Sequence, residues 1–386
     1  MPNRLAYCTN VHPGRDLKTT QDALTEHAVQ VKSRFSPDQP MGIGLWLSAE
    51  PAEELLTQTE RLSEFRQWLS DQGLVACTWN GFPYGDFHEP VVKHRVYQPT
   101  WWQAERSQYT CNLAKLLDAI LPQGESGTIS TLPLGWPTGD DDSNLAAAAE
   151  QLESVVEFLE RLHQEQGRRI VLCLEPEPGC LLDSSDDVVD FFETQLYPRK
   201  PQDWWVPYLG VCHDVCHSAV MFEPQRAALN TYRRAGIAIG KVQISSAVKM
   251  DLATKSTEEK QNAVKELAAF AEDRYLHQTM WQDADGEQEF FEDLTLALQT
   301  AGGLSQAEWR THFHVPIYLK DFGHLETTQD EIDGFLADLE DEEVLHFEVE
   351  TYAWSVLPEE LQQESLAEGI AREMAWAKVR LKDKIC

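Results

Sequence analysis

The chain has 386 residues, 42% apolar and 10% aromatic, an ordinary balance for a protein with a sizeable core. Thirty-two basic against sixty-four acidic residues leave a formal charge of −32, a field that repels phosphate backbones and anionic bilayers and so argues against nucleic-acid binding and membrane-surface docking. Eight cysteines in a chain this long, with no Cys-x-x-Cys pair, make neither a disulfide framework nor a zinc ribbon, and no run approaches the ~20 apolar residues of a membrane span. The amino-terminal Met-Pro-Asn-Arg-Leu-Ala-Tyr-Cys has no signal-peptide apolar core, so a cytoplasmic protein without membrane insertion is expected.

In chain order, short apolar runs alternate with helical patterns. Leu5–Asn10 reads as a strand, followed by an amphipathic helix through Ala23, Leu24, Ala28 and Val31. Gly42–Leu47 is a second strand, with Ser48 placed to cap a helix that starts near Pro51 and stops at Gly73. Leu74–Trp79 is the third. A helix around Cys111–Leu121 precedes the fourth, Ile129–Leu134, and a long helix over Asn144–Glu165 precedes the fifth, Ile170–Leu174. Tyr208–His213 and Ile237–Ile244 follow, the latter after a helix over Gln225–Ala235. The helix Asp330–Leu339, part of an acidic stretch running to Glu343, leads into the closing strand Val344–Val349.

Eight strands separated by helices predict an α/β fold, a (β/α)8 TIM barrel, as a single domain over 1–386. The helix Glu258–Glu272, the acidic loop Asp283–Glu289 and the apolar segment His314–Leu319 are assigned to an extended loop after strand 7. A doubly wound sheet fits less well, because the first strand carries no Gly-x-Gly-x-x-Gly.

Barrel chemistry belongs at the carboxyl ends of strands. Those ends carry Glu175-Pro-Glu177, Asp214 with His217, Gln243, His312 with His314, and Glu348 with Glu350. Asp-x-x-His admits two readings, a carboxylate and imidazole sharing a divalent cation or an Asp that merely caps the next helix. Glu175 emerges straight from an apolar strand, where a lone carboxylate is costly, and Glu177 shares its parity. Parity does not separate Glu348 from Glu350; Glu350 is preferred as nearer the mouth. The stretch Asn80–His88 is too apolar for a plain surface loop, and Phe82, Tyr84 and Phe87 are expected as pocket walls. His88 and Lys93 are candidates to meet an anionic group.

This strand-end set resembles the xylose-isomerase-like TIM-barrel superfamily, which includes sugar-phosphate isomerases and epimerases and the endonuclease IV group. The resemblance implies a divalent metal (Mn²⁺, Mg²⁺ or Zn²⁺) held by Glu175, Asp214 and Glu350, with His217 completing the Asp-x-x-His element. Gln243 stands where that superfamily usually has a histidine, a departure that puts the fourth ligand in doubt. His314 resembles the later loop histidine of the endonuclease branch. The motifs Tyr7-Cys-Thr-Asn-Val-His-Pro-Gly14, Asn80-Gly-Phe-Pro-Tyr-Gly85, Glu175-Pro-Glu-Pro178, Lys241-Val-Gln-Ile-Ser-Ser246 and Val349-Glu-Thr-Tyr352 together resemble the metabolite traffic proteins of the EboE type along essentially the whole chain.

The function expected is metal-assisted isomerisation or epimerisation of a small polyhydroxy or sugar-like metabolite. Glu175 and Glu350 would move the proton; Glu175, Asp214, Gln243 and Glu350 would hold the metal. His217, His314, Asn80, Tyr84, His88 and Glu177 would contact substrate. Two other readings stand beside it, a non-catalytic metabolite carrier working with proteins of the same metabolite-handling cluster, and a metal-dependent phosphodiesterase, which the −32 charge disfavours. Exposed tryptophans would allow self-association without requiring it.

Overall fold

A computed structural model describes residues 5–300, 307–340, 344–358, 361–362, 365–381 and 384. The first four residues and residues 341–343, the end of the acidic stretch, lie outside the described residues. Seven strands run in order: β1 (Leu5–Cys8), β2 (Met41–Leu45), β3 (Leu74–Asn80), β4 (Gly127–Thr131), β5 (Ile170–Leu174), β6 (Leu209–Asp214) and β7 (Ile239–Ile244). The closing strand, β14 (His346–Val349), pairs in parallel with both β7 and β1 and completes an eight-stranded barrel. Nearly every residue of these strands is buried, because helices cover the outside and side chains fill the inside. That burial on both faces is why the strands read as apolar runs rather than alternating ones.

The helices between strands are amphipathic, and the longest, Asp141–Gln166, ends where Gly167 takes φ 76°, a left-handed conformation that lets the chain turn into β5. Ser48 occupies the cap position of the helix Ala49–Thr57, although its side chain makes no capping bond.

Between β7 and β14 the expected extended loop is a folded sheet. Six strands, β8 (Val248–Asp251), β9 (Thr279–Gln282), β10 (Gln288–Phe291), β11 (Glu308–Thr311), β12 (Asp321–Phe322) and β13 (Leu325–Thr327), form an antiparallel sheet in the order β10-β9-β11-β8-β13-β12. The acidic stretch Asp283–Glu289 is mainly the turn joining β9 to β10, where the Asp283 carboxylate accepts from the Asp285 and Glu287 amides. These strands have four residues or fewer, too few for an alternating pattern to stand out. The sheet is fastened over the loop that follows β3: Val92 N donates to the Arg274 carbonyl at 2.7 Å, Tyr275 Oη donates to the Phe87 carbonyl at 3.2 Å, and Lys93 Nζ meets Asp293 Oδ2 at 2.6 Å.

A second fastening comes from the carboxyl-terminal helix Leu366–Leu381. Its buried Glu373 accepts from Ile317 N at 3.1 Å, Thr351 Oγ1 at 2.6 Å and Trp354 Nε1 at 3.2 Å, tying the insertion to the end of β14. Burial pushes this carboxyl up from 4.5 to about 7, against the pull of its three donors. The folded state therefore binds the proton more tightly than the unfolded chain. That contribution to stability is complete below pH 4.5 and is lost as the pH rises to about 7. We expect Glu373→Gln to remove a pH-dependent component of up to roughly 3 kcal/mol from urea unfolding measured across this window. Equal pH slopes in the two proteins would refute the assignment.

Candidate metal centre

The site begins at β6. Strand alternation turns His213 outward, where Nε2 meets Gln225 Oε1 at 2.8 Å and the ring stacks on Phe335, and turns Asp214 inward. Asp214 Oδ1 accepts from His217 N at 2.9 Å and from Ser245 Oγ at 2.7 Å, so it does cap the helix Val215–Val220. The other oxygen, Oδ2, is buried without a hydrogen-bond partner and lies 3.8 Å from both His217 Nε2 and His314 Nε2. Oδ1 thus makes the helix cap, and Oδ2 is left facing the two imidazoles.

Two extended segments bring pairs of side chains to this centre. In Glu175-Pro-Glu-Pro178 the prolines favour extended backbone, which places Glu175 and Glu177 on one side. In His312-Phe-His314, which leaves the insertion sheet after β11, both imidazoles face the site while Phe313 packs outward on Phe270. Glu350 arrives two residues beyond the inward-facing Glu348 of β14. Ligand atoms of Glu175, Asp214 and Glu350 lie within 4.8 Å of one another, as do those of Asp214, His217 and His314, and those of Glu177, His217 and His312.

The histidine orientations are fixed from behind. His217 Nδ1 lies 2.7 Å from the Pro176 carbonyl and His314 Nδ1 lies 2.8 Å from the Glu350 carbonyl. His312 Nδ1 lies 2.8 Å from Gln278 Oε1. Carbonyl oxygens only accept, so each Nδ1 carries hydrogen and donates, and each Nε2 is left as the metal-facing nitrogen. His217 Nε2 and His312 Nε2 stand 3.2 Å apart. Two lone pairs do not attract, so that contact demands a proton or a cation. Glu177 Oε2 and His314 Nε2 are further buried acceptors without partners. A divalent cation fits this donor set, and mixed imidazole and carboxylate ligands suit Zn²⁺ or Mn²⁺ well and Mg²⁺ through the oxygens.

Burial pulls the His217 imidazolium down, but the Asp214, Glu177 and Glu175 carboxylates outweigh it and raise it above the ordinary histidine range. Burial drives His314 down to about 4 and His312 lower than usual as well. Without a cation, the shared proton therefore sits on His217 and points at His312, and a metal would replace it. Asp214 stays below the usual carboxylate range: burial raises it, while His217, His314 and the Ser245 hydroxyl more than compensate. Burial lifts Glu175 to about 7 and Glu350 well above the ordinary value, Asp214 adding to both.

Beneath the centre lies a second buried constellation. Lys241 Nζ meets Glu348 Oε2 at 2.6 Å and donates to Asn80 Oδ1 at 2.9 Å and Ser130 Oγ at 3.2 Å. Asn80 Nδ2 donates to Glu348 Oε1 at 3.1 Å. A Cβ on Gly44 would stand 1.2 Å from that oxygen, so β2 admits the carboxylate only because it carries glycine there. The register sets Glu348 and Asp214 level with Gln243. The Gln243 amide nitrogen reaches Asn80 Oδ1 at 3.3 Å and its oxygen is a buried acceptor without a partner.

A cavity with roughly 590 Å³ of atom-free space, mouth included, opens from the centre toward the insertion. Glu175, Glu177, His217, His314, Glu350 and Asn80 line it. Two expected contacts are corrected. Tyr84 packs against Tyr109 and Arg106, away from the lining, and His88 turns its Nε2 to the Asn10 carbonyl at 2.7 Å between Trp46 and Phe87. Glycine and proline curl the loop after β3, and only part of it faces the cavity. His312 was one of two strand-end histidines and joins the centre equally; the His-x-His spacing was its signal. Gln278 and Tyr97, which orient His312 and Glu177, had none.

Solved structures share this architecture. A protein from Mycobacterium smegmatis, titled a xylose isomerase-like TIM barrel protein in complex with magnesium, superposes with TM-score 0.52 at 12% identity, over 99% of this chain and 98% of its own. The fold is a xylose-isomerase-like TIM barrel. The IOLI protein, solved with a zinc atom, is similar at TM-score 0.49 and 12% identity over 98% of this chain and 99% of its own. A D-tagatose 3-epimerase-like protein gives TM-score 0.39 at 12% identity over 62% of this chain and 75% of its own. No family model and no curated protein matches the sequence. Among the described residues of this xylose-isomerase-like barrel no helix is long and apolar enough to cross a membrane, and the described cysteines are free thiols.

Proposed function

We propose that the protein is a cytoplasmic, metal-dependent isomerase or epimerase that moves a proton beside the carbonyl of a small α-hydroxy carbonyl compound. The observation that carries this reading is the convergence of Glu175 and Glu350 on Asp214 within 4.8 Å, at the floor of an open cavity. Asp214, His217 and His314, with His312 and Glu177 beside them, would hold the cation. Once bound, it would supply Lewis-acid polarisation of adjacent carbonyl and hydroxyl oxygens. Glu175, raised to about 7, is ionised in a useful fraction at neutral pH and takes the carbon-bound proton. Glu350, whose carboxyl burial and the neighbouring Glu175 and Asp214 raise well above its ordinary value, would return a proton to the carbon skeleton, to the same carbon in an epimerisation or the adjacent one in an isomerisation. The Cys8 thiol donates to Glu350 Oε1 at 3.2 Å and steadies it.

The test is exchange of the hydrogen next to the carbonyl, followed by proton NMR for a panel of α-hydroxy ketones in deuterated water. Glu175→Gln and Glu350→Gln are each expected to slow exchange by about 10²–10⁴-fold at equal metal content. Wild-type exchange rates in both variants would end the proposal.

A second reading, a metabolite carrier of the EboE type acting with proteins of its own cluster, draws support from Gln243, whose amide stands where the resemblance implies a histidine ligand. Exchange absent from the wild type, together with tight metabolite binding, would favour it. Phosphodiester hydrolysis is disfavoured: Lys93, the one Lys or Arg on the cavity lining among the described residues, is paired with Asp293 at 2.6 Å.

A further inference from the structure

The metal end of the cavity accounts for one end of a ligand, and the rest of the wall has a different chemistry. Away from the carboxylates and imidazoles, most of the lining is apolar or aromatic, with Phe82, Phe87, Val92, Val96, Tyr275 and Tyr352 drawn from the loop after β3, the insertion and the segment after β14. The rings are in mutual contact: Phe87 and Tyr275 centroids are 4.9 Å apart, Tyr275 and Tyr352 5.2 Å, Phe87 and Tyr352 5.5 Å. Tyr352 in turn lies 4.8 Å from His314. One aromatic surface thus runs from the metal-facing imidazoles outward along the cavity. The Tyr275 hydroxyl donates to the Phe87 carbonyl at 3.2 Å.

Among the other polar groups of the lining, Asn10 brings a buried Oδ1 without a partner. Asn80 is committed to Glu348, Lys241 and Ser130. A sugar bound at the metal would turn most of its distal hydroxyls toward hydrocarbon, where they would lose water and gain no partner. A phosphate would meet three glutamates, Glu175, Glu177 and Glu350, and a lysine already neutralised by Asp293. An apolar or aromatic group, by contrast, gains burial and ring contacts.

We infer that the ligand is uncharged, with adjacent oxygen atoms at one end for the metal and an aromatic or hydrocarbon body that lies along Phe87, Tyr275 and Tyr352. This rests on the metal reading for the oxygenated end, while the apolar wall stands on its own residues. Zinc-loaded protein titrated by calorimetry with benzohydroxamic and acetohydroxamic acids, oxygen chelators that differ by phenyl in place of methyl, separates the two. The phenyl compound is expected to bind about five-fold or more tightly, and Phe87→Ala and Tyr275→Ala are expected to shrink that ratio with little change for the methyl compound. A smaller ratio in the wild type, a ratio unmoved by both variants, or tighter binding of a hexose phosphate would overturn the inference. Should elemental analysis show that zinc itself does not bind, the metal reading falls and a neutral naphthyl ketone dye reads the wall alone. Saturable fluorescence that Phe87→Ala weakens by about five-fold or more would then uphold the inference; a smaller change or no saturation would overturn it.

Discussion

Zinc added to chelator-stripped protein is expected to raise the midpoint of thermal unfolding by roughly 3–5 °C at a hundredfold excess over its dissociation constant. The gain follows from what the metal-free centre lacks: buried acceptors on Asp214, Glu177 and His314 have no donor, and two imidazole nitrogens share one proton at 3.2 Å. Asp214→Asn is the discriminating variant. An asparagine oxygen still accepts from His217 N and Ser245 Oγ, so the helix cap survives, while the charge and the second oxygen ligand are lost. The variant should fold with a metal-free midpoint at or somewhat below that of the wild type, since the carboxylate charge is favoured by His217 and His314, and show little response to zinc. An unchanged response to zinc in Asp214→Asn, or no response in the wild type, would remove the metal centre from consideration.

The largest stability effect is expected at Lys241. Both it and Glu348 are fully buried, so their attraction offsets a heavy desolvation cost, and removing one partner strands the other. Lys241→Met should cost roughly 3–5 kcal/mol in urea unfolding, much of it the cost of an uncompensated Glu348 carboxylate. Adding Glu348→Gln, which keeps an acceptor for Asn80 Nδ2, should restore more than half of the loss. If the single variant loses less than about 1 kcal/mol, or the double variant is worse than the single one, the ion pair is not what holds this layer of the barrel.

The barrel was legible because parallel strands buried on both faces leave unbroken apolar runs such as Ile170–Leu174, which helices then separate with a different period. Glu175, Asp214 and Glu350 were legible for a related reason, since a charged residue at the end of such a run has few alternatives to a site. The insertion sheet was not, because strands like Val248–Asp251 are short and half exposed, and their partners lie far along the chain. His312 was visible as a strand-end histidine, but its role depends on the fold of that sheet. Tyr84 and His88 were misplaced because loop composition identifies a buried stretch without giving the direction of each side chain. Gln243 shows the opposite limit: sequence located it on the correct strand, and only the neighbouring Asn80 and Lys241 reveal where its amide nitrogen is engaged.

Barrel closure by β14 has a consequence for synthesis. Lys241 leaves the ribosome more than a hundred residues ahead of Glu348, and His312 and His314 precede Glu350. Until the final strand docks between β1 and β7, the ammonium lacks the Glu348 carboxylate and the nascent sheet remains open along the edges of both strands. A hydrated lysine at the β7 edge keeps the unfinished sheet wet and disfavours pairing with strands of other chains. The last strand then brings the missing carboxylates in a single docking step, so the centre is assembled at the end of folding.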